Sequence, residues 1–392
     1  MASSISLKSL FWMFFKIGST SWGGFMSLIA VVQSYIKKKN LLADQDVIDT
    51  IFLASILPGA VSINVIVGLG YRLRGIKGAL VCGVGVILTS VLLGLALSVA
   101  YFQWGQVPVV DKLFLGFTPA IVAIIVSAAW SMGHKVIKRP KEIAISLAAC
   151  VMLLEFKGFY STMGVIVASG ITGWLLFHKS LAKSPEESKL SQTATSQPQP
   201  KSLSRFLSVS PLPIIGLVTV KSSIVLKLFT SFAAASVTLF GGGYVFIPII
   251  QELAVERHGW VTNKEFIDAV VISQITPGPM LASTFIGYKV AGVMGAISAT
   301  TGMLLPPAIL MLVCMSFLES FKHSAGVSAA LRGIRLAVVG MLIAAAFVVG
   351  ATAPMHWGSL AIFAAALIAL IRFRVEIALL LPIAGIASFI LY

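Results

Sequence analysis

The sequence is poor in charged residues, and this shortage excludes an ordinary soluble domain. Only 11% of its 392 residues are Asp, Glu, Lys or Arg, whereas soluble domains carry about 25%. Hydrophobic residues make up 58% of the chain, and they lie in runs of roughly 15 to 25 residues, which is long enough for helices that cross a bilayer. We therefore predict an all-α polytopic membrane protein whose main partner is the lipid bilayer.

Other absences argue against catalysis and against nucleic-acid binding. The three cysteines, Cys82, Cys150 and Cys314, lie far apart in apolar runs and lack the spacing of a metal site. The sequence has no Gly-x-x-x-x-Gly-Lys loop and no complete dinucleotide fingerprint. Its net charge of +15 comes from short basic clusters between apolar runs, as in membrane proteins, and not from a nucleic-acid-binding patch. We predict no enzyme activity, metal, cofactor or nucleic-acid partner.

The apolar segments fall into two sets, separated by a polar, proline-rich stretch. We predict an N-terminal membrane repeat over 1–178, a polar linker over 179–224 and a C-terminal membrane repeat over 225–392. The predicted segments lie near 9–33, 47–71, 79–102, 112–132, 143–156 and 159–178, and then near 226–250, 266–290, 293–318, 330–350, 357–371 and 375–391.

The two halves agree at unusual residue types, which indicates an internal duplication. The matched positions are Trp22-Gly23-Gly24-Phe25 with Phe240-Gly241-Gly242-Gly243, Asp49 with Asp268, Pro58-Gly59 with Pro277-Gly278, Gly75 with Gly292, and Gly116 with Gly333.

The positive-inside rule sets the orientation of the halves. Most of the 29 Lys and Arg residues fall on one side of the membrane if the second half is inverted relative to the first, with the linker in the cytoplasm. Two arrangements fit this bias almost equally well. In one there are ten crossings plus two re-entrant segments, and in the other the broken segments cross fully and 206–220 is an extra span, giving thirteen crossings.

Pro-Gly breaks interrupt the second segment of each half, and we expect the substrate site there. Each break leaves a half-helix whose first N–H groups and positive dipole end lie within the membrane, where they can bind an anion. A kink that only shapes packing is the alternative for a single break, but recurrence in both halves favours a binding site. The candidate residues are Pro58, Gly59, Thr276, Pro277, Gly278 and Pro279.

Glycine runs interrupt the first segment of each half as well. Gly23 and Gly24, and Gly241, Gly242 and Gly243, either allow close helix crossing or supply further N–H donors to the same site. Asn64 and Ser283, close to the Pro-Gly breaks, could add neutral hydrogen bonds to an oxyanion.

Four charged residues are further candidates. Asp49 and Asp268 stand at matching positions near the start of the broken segments, where a carboxylate either caps a helix or carries a proton for coupling. Arg332 and Arg335 have no counterpart in the first half, and they either attract an anion or anchor the chain at the cytoplasmic face.

Several of these motifs resemble the repeat of the chromate ion transporter (CHR) family. They are the Phe-Gly-Gly-Gly run at 240–243, the Pro-Gly-Pro break at 277–279, Gly287-Tyr288 and Pro306-Pro307. The resemblance is strong over 232–307 and weaker over 14–78, where Pro58-Gly59-Ala60 and only two glycines after Trp22 depart from the pattern. Two repeats in one chain are similar to the long, two-domain members. The resemblance implies export of chromate across a bacterial inner membrane and chromate resistance.

Together these features predict a secondary active transporter in which the two breaks hold a divalent tetrahedral oxyanion, either chromate or a relative such as sulfate. An oxyanion channel or importer, or a membrane enzyme of similar architecture, stays open as an alternative. Homo-oligomerisation is also left open by the sequence.

Overall fold

A computed structural model describes residues 5–21, 24–104, 108–156, 159–181, 221–239, 246–277, 282–315, 325–351, 356–373 and 375–391. The first half contains α1 (Leu7–Thr20), α2 (Gly24–Lys38), α3 (Asp44–Ile56), α4 (Val61–Trp104), α5 (Pro108–Val136), α6 (Pro140–Glu155) and α7 (Phe159–Leu181). The second half contains α8 (Lys221–Val237), α9 (Phe246–Gln251) with a π-helical continuation over Glu252–Arg257, α10 (Asn263–Ile275), α11 (Ala282–Met315), α12 (Ala325–Gly350), α13 (Trp357–Arg372) and α14 (Ile377–Leu391).

The predicted all-α membrane class is confirmed. Among the described residues, five helices, within α4, α5, α7, α11 and α12, are long and apolar enough to cross a bilayer by length and composition. Both ends of the predicted linker are helical, since α7 runs to Leu181 and α8 begins at Lys221. The rest of the predicted linker, 182–220, lies outside the described residues, so the linker stays a prediction.

A sharp turn divides α4 into two helices, 61–74 and 76–104. Gly75 has φ +62° and ψ −153°, a conformation that residues with a Cβ rarely adopt. Beyond the turn the two helices touch through their backbones, because a Cβ on Gly78 would lie 2.2 Å from the carbonyl oxygen of Gly70. The second half has the same geometry in α11, with Gly292 at φ +61° and ψ −149° and with Gly287 against Gly295.

The chain also reverses at each predicted Pro-Gly break. Asp46, in the first turn of α3, forms an ion pair with Arg72, near the end of the 61–74 helix. Arg72 also donates through Nε to Thr50 Oγ1 at 3.1 Å. In the second half Glu265, in the first turn of α10, pairs with Lys289 in the same way. In each half, therefore, the two helices that flank the break form an antiparallel hairpin with the break at its tip.

The two halves exchange helices in their packing. Helix α5 of the first half packs against α13 and α14, and α12 of the second half packs against α6 and α7. Glycines allow the closest crossings, since a Cβ on Gly116 would lie 2.2 Å from the Ala384 carbonyl oxygen and one on Gly333 would lie 2.0 Å from that of Ser169. Each half therefore buries the helix of its fourth predicted segment, α5 or α12, against the other half.

Large apolar side chains cover much of the outer surface. Leu147, Leu175, Phe347, Leu360 and Ile390 are each more than half exposed, as expected for a surface that faces lipid. The interior is also apolar and holds fully buried aromatic rings such as Phe14, Phe232, Phe266 and Phe285.

Candidate functional site

The first break, between α3 and α4, is a buried loop held from two sides. Pro58 and Gly59 are both buried, and Asn64 Nδ2 donates to the Pro58 carbonyl oxygen at 3.0 Å. The N–H of Gly59 donates to the Leu239 carbonyl oxygen in the second half at 2.6 Å. This N–H is therefore not free to bind an anion, and the donors left at this break are those at the start of α4.

Each break also contacts a long helix of the opposite half. Gly59 has φ +101°, and a Cβ built on it would lie 2.2 Å from Pro307 Cβ in α11. Reciprocally, Ser90 in α4 donates to the Pro277 carbonyl oxygen of the second break at 2.7 Å. Gly59 therefore contacts α11 and Pro277 contacts α4, where the halves meet.

Four buried polar atoms at the two breaks lack a hydrogen-bond partner within the described chain. They are Ser62 Oγ, Asn64 Oδ1, Gln274 Oε1 and Ser283 Oγ. Each side chain is at most 3% exposed, and buried polar groups in native proteins nearly always have partners. Ser62 and Ser283 are the second residues of α4 and α11, where N–H groups have no intrahelical acceptor. Unsatisfied hydroxyls thus stand beside helix N-termini at both breaks.

The structure brings some predicted residues together and leaves others outside its described part. Asn64 lies with Pro58 and Gly59 at the first break. Thr276 and Pro277 are the last described residues before the second break, and Ser283 is the second residue of α11, which follows that break. Gly24 begins α2. Gly23, Gly241, Gly242, Gly243, Gly278 and Pro279 lie outside the described residues. Sequence reasoning missed Ser62, because one serine in an apolar run carries no signal.

Asp49 and Asp268 lie inside helices α3 and α10, beyond the first turn. The capping interpretation is therefore wrong for both, and Thr262 caps α10 instead, through a reciprocal pair with Glu265. The two carboxylates also differ in environment. Asp49 is partly exposed and accepts from Gln45 Nε2 at 2.9 Å, whereas Asp268 is 2% exposed and accepts from Tyr101 Oη of the first half at 2.5 Å.

The base of the second hairpin carries an ionised carboxylate. Burial alone would raise the pKa of Glu265, but hydrogen bonds from Lys289 and Thr262 outweigh that effect and lower its pKa. Glu265 is therefore a fixed negative charge that holds the hairpin base, and it lies several helical turns from the break.

The two predicted anion-attracting arginines have different surroundings. Arg332 donates to Glu142 Oε1 at 2.7 Å and lies over the Phe177 ring, 4.6 Å from its centroid. Glu142 is fully buried and also accepts from the N–H groups of Lys138 and Arg139. Arg332 therefore ties α12 to α6, whereas Arg335 makes no hydrogen bond or ion pair with the part of the chain that the structure covers.

Comparisons with known proteins match both halves. The chromate transporter family profile matches residues 8–174 and again residues 226–389. A chromate transport protein of Pseudomonas aeruginosa is 27% identical over 99% of this chain and 93% of its own length. A chromate transport protein of Cupriavidus metallidurans is 27% identical over 88% of this chain and 83% of its own length.

A shorter relative matches about one half of the chain. An uncharacterized transporter of Bacillus subtilis is 25% identical over 39% of this chain but 89% of its own length. No solved structure matches this chain. Since the family profile covers most of the sequence, in two copies, the chain belongs to the chromate transporter family, a family of membrane transporters.

Proposed function

We propose that this protein is a secondary active transporter that exports chromate, or a related tetrahedral oxyanion such as sulfate, across a bacterial inner membrane and so confers chromate resistance. Family membership and two relatives named as chromate transport proteins support the substrate class. The sequence has no ATP-binding loop. Uphill transport therefore draws on an ion gradient or on the membrane potential, which supplies about 2.3 kcal/mol per charge for each 100 mV.

The unsatisfied polar atoms at the two breaks carry this proposal. Ser62 and Ser283 stand in the first turns of α4 and α11, so a hydroxyl and free N–H groups are available at each helix start. An oxyanion held between the breaks accepts hydrogen bonds from both halves. Rocking of the halves about this site then exposes it to each side of the membrane in turn.

Removing either serine hydroxyl is expected to weaken oxyanion binding. Ser62→Ala and Ser283→Ala should each raise the Kd for chromate roughly ten- to hundredfold, the usual value of a hydrogen bond to a charged group. Equilibrium binding of radiolabelled chromate to the purified variants measures this effect. Ser169→Ala is the control, because Ser169 is equally buried but donates to Val165 in its own helix. Unchanged affinity in both serine variants would contradict the proposed site.

We further propose that the halves are inverted and that the hairpins are re-entrant. The ion pairs Asp46–Arg72 and Glu265–Lys289 support this arrangement, since each closes the base of a hairpin whose tip is a Pro-Gly break. A re-entrant hairpin begins and ends on the same side of the membrane, so it does not count as a crossing. Of the six segments in each half, five then cross, and because five is odd the second half starts from the opposite face. The basic residues then collect, with the linker, in the cytoplasm.

Cysteine labelling tests the inversion. Lys39 and Glu256 are exposed and lie just before the first and second hairpins, so Lys39→Cys should react with a membrane-impermeant thiol reagent only from the cytoplasm and Glu256→Cys only from the periplasm. The parent chain is a suitable background because Cys82, Cys150 and Cys314 are all buried. Labelling of both variants from the same side would rule out inverted halves.

Proton coupling is assigned in this proposal to Asp268, with Asp49 as the weaker candidate. Ionisable groups buried at membrane depth are costly and usually functional, and of the two carboxylates Asp268 is the one buried against the other half. Arg335 serves to attract the anion at the cytoplasmic face, while Arg332 is held by Glu142. Homo-oligomerisation stays a prediction.

A further inference from the structure

The amide of Asn64 presents an oxygen, and not a nitrogen, to its surroundings at the first break. Its Nδ2 donates to the Pro58 carbonyl oxygen at 3.0 Å, and the reversed amide would set two acceptors against each other. Asn64 is fully buried, and its Oδ1 receives no hydrogen bond from any described residue. A donor on a bound ligand would satisfy an acceptor in this position.

The second break has a similar acceptor. Gln274 is 1% exposed, and its Oε1 also lacks a partner in the described segments. A fully deprotonated chromate or sulfate has only acceptor atoms, so it would leave both amide oxygens unsatisfied and place negative charge beside them. A singly protonated oxyanion instead has one O–H, which satisfies one of the two amide oxygens, and three oxygens that can accept from the serine hydroxyls and N–H groups.

The charge of the surroundings points the same way. Helices α3, α4, α8, α10 and α11 begin or end close to the two breaks, and none of them carries Asp, Glu, His, Lys or Arg in the turn next to a break. On these helices the nearest such residues along the chain are Asp49, Arg72, Lys77, Lys227, Asp268 and Lys289, and α11 has none after Lys289. The cost of removing an ion from water rises steeply with its charge, so a site without a cationic side chain favours a monoanion over a dianion.

We propose that the site takes the tetrahedral oxyanion in its singly protonated form, with Asn64 Oδ1 accepting the hydrogen bond from the ligand O–H. This inference rests on the proposed function and narrows its substrate. Near neutral pH a substantial share of chromate is singly protonated, whereas sulfate is not. A site built to bind an O–H rejects analogues that lack it. The site therefore binds singly protonated chromate in preference to sulfate, although the two anions have the same shape.

Equilibrium binding of radiolabelled chromate to the full chain in lipid nanodiscs tests this assignment. The pH is varied across the second pKa of chromic acid, with sulfate and perrhenate as competitors. Sulfate is a dianion throughout, and perrhenate is a tetrahedral monoanion without a proton. We expect the affinity for total chromate to fall about tenfold for each pH unit above that pKa, and both competitors to bind weakly at every pH.

Each alternative result has a distinct meaning. Chromate affinity that is independent of pH, or competition by perrhenate or sulfate as strong as that by unlabelled chromate, would overturn this assignment and leave the proposed function standing. Absence of binding by all three anions would instead count against the proposed function itself. Perrhenate binding over the same pH range also controls for titration of the protein.

Two variants identify the acceptors. Asn64→Leu should reduce the preference for chromate over perrhenate about tenfold, which corresponds to about 1.4 kcal/mol. Because this variant also loses the bond to Pro58, Gln274→Leu, which leaves the first break tethered, is the comparison, and its preference should change less because one O–H satisfies only one amide oxygen. Gln33→Leu, which changes an exposed amide on α2, should not alter the preference. An unchanged preference in both folded variants would rule out the amide oxygens as the acceptors.

Discussion

Replacing Gly59 with alanine is expected to abolish chromate transport and to destabilise the protein. The residue has φ +101°, and the added Cβ would lie 2.2 Å from Pro307 Cβ and 2.4 Å from Pro307 Cγ. A proline ring cannot rotate away, so the break must separate from α11. Overpacking of this kind costs about 1–3 kcal/mol, and the strained backbone adds to that cost. Thermal unfolding in detergent and chromate export from everted vesicles measure the two effects.

A glycine in open space provides the matched control for this prediction. Gly164 in α7 is exposed, and a Cβ built on it would have no neighbour within 4 Å. Gly164→Ala should therefore be neutral, or stabilising by up to about 1 kcal/mol, because alanine favours a helix interior over glycine. If Gly59→Ala transports chromate like Gly164→Ala, the close contact between the first break and α11 is wrong.

Replacing Asp268 with asparagine is expected to uncouple transport from the proton gradient. Asparagine keeps the size of the side chain and can still bond to Tyr101, but it cannot carry a proton. One proton that moves down a gradient of one pH unit supplies about 1.4 kcal/mol. The steady-state chromate gradient across proteoliposomes should therefore fall about tenfold for each coupled proton lost, while exchange of chromate without a gradient continues.

Asp49→Asn is the control for uncoupling. Asp49 holds the matching position in the first half but is partly exposed and bonded to Gln45, so its variant should keep the pH-driven gradient. An Asp268→Asn variant that still builds the full gradient would show that the proton is carried elsewhere.

The helices, and which helix of one half corresponds to which helix of the other, were largely predictable from sequence. Helix-breaking residues in apolar runs place α3 and α10 before their breaks, and the matched Gly75 and Gly292 adopt almost the same backbone angles. Such residues are informative because few others tolerate these conformations.

The contacts of the site could not be predicted in the same way. Sequence patterns specify which backbone N–H groups are released by a break, but not which carbonyl in the other half accepts them, as Leu239 does for Gly59. The same limit applies to Asp268 and Tyr101, which are distant in the chain and meet only when the halves assemble. A repeat also predicts equal roles for equivalent residues, whereas burial distinguishes Asp268 from Asp49.

The exchange of helices between the halves has a consequence for synthesis in the cell. Helix α5 leaves the ribosome long before α13 and α14, yet it rests on both of them, and Ser388 in α14 donates to the Lys112 carbonyl oxygen. A newly inserted first half must therefore hold α5 against lipid or an insertion factor until α13 and α14 have been made. A chain that lacked α14 would leave one side of α5 uncovered even with α13 in place.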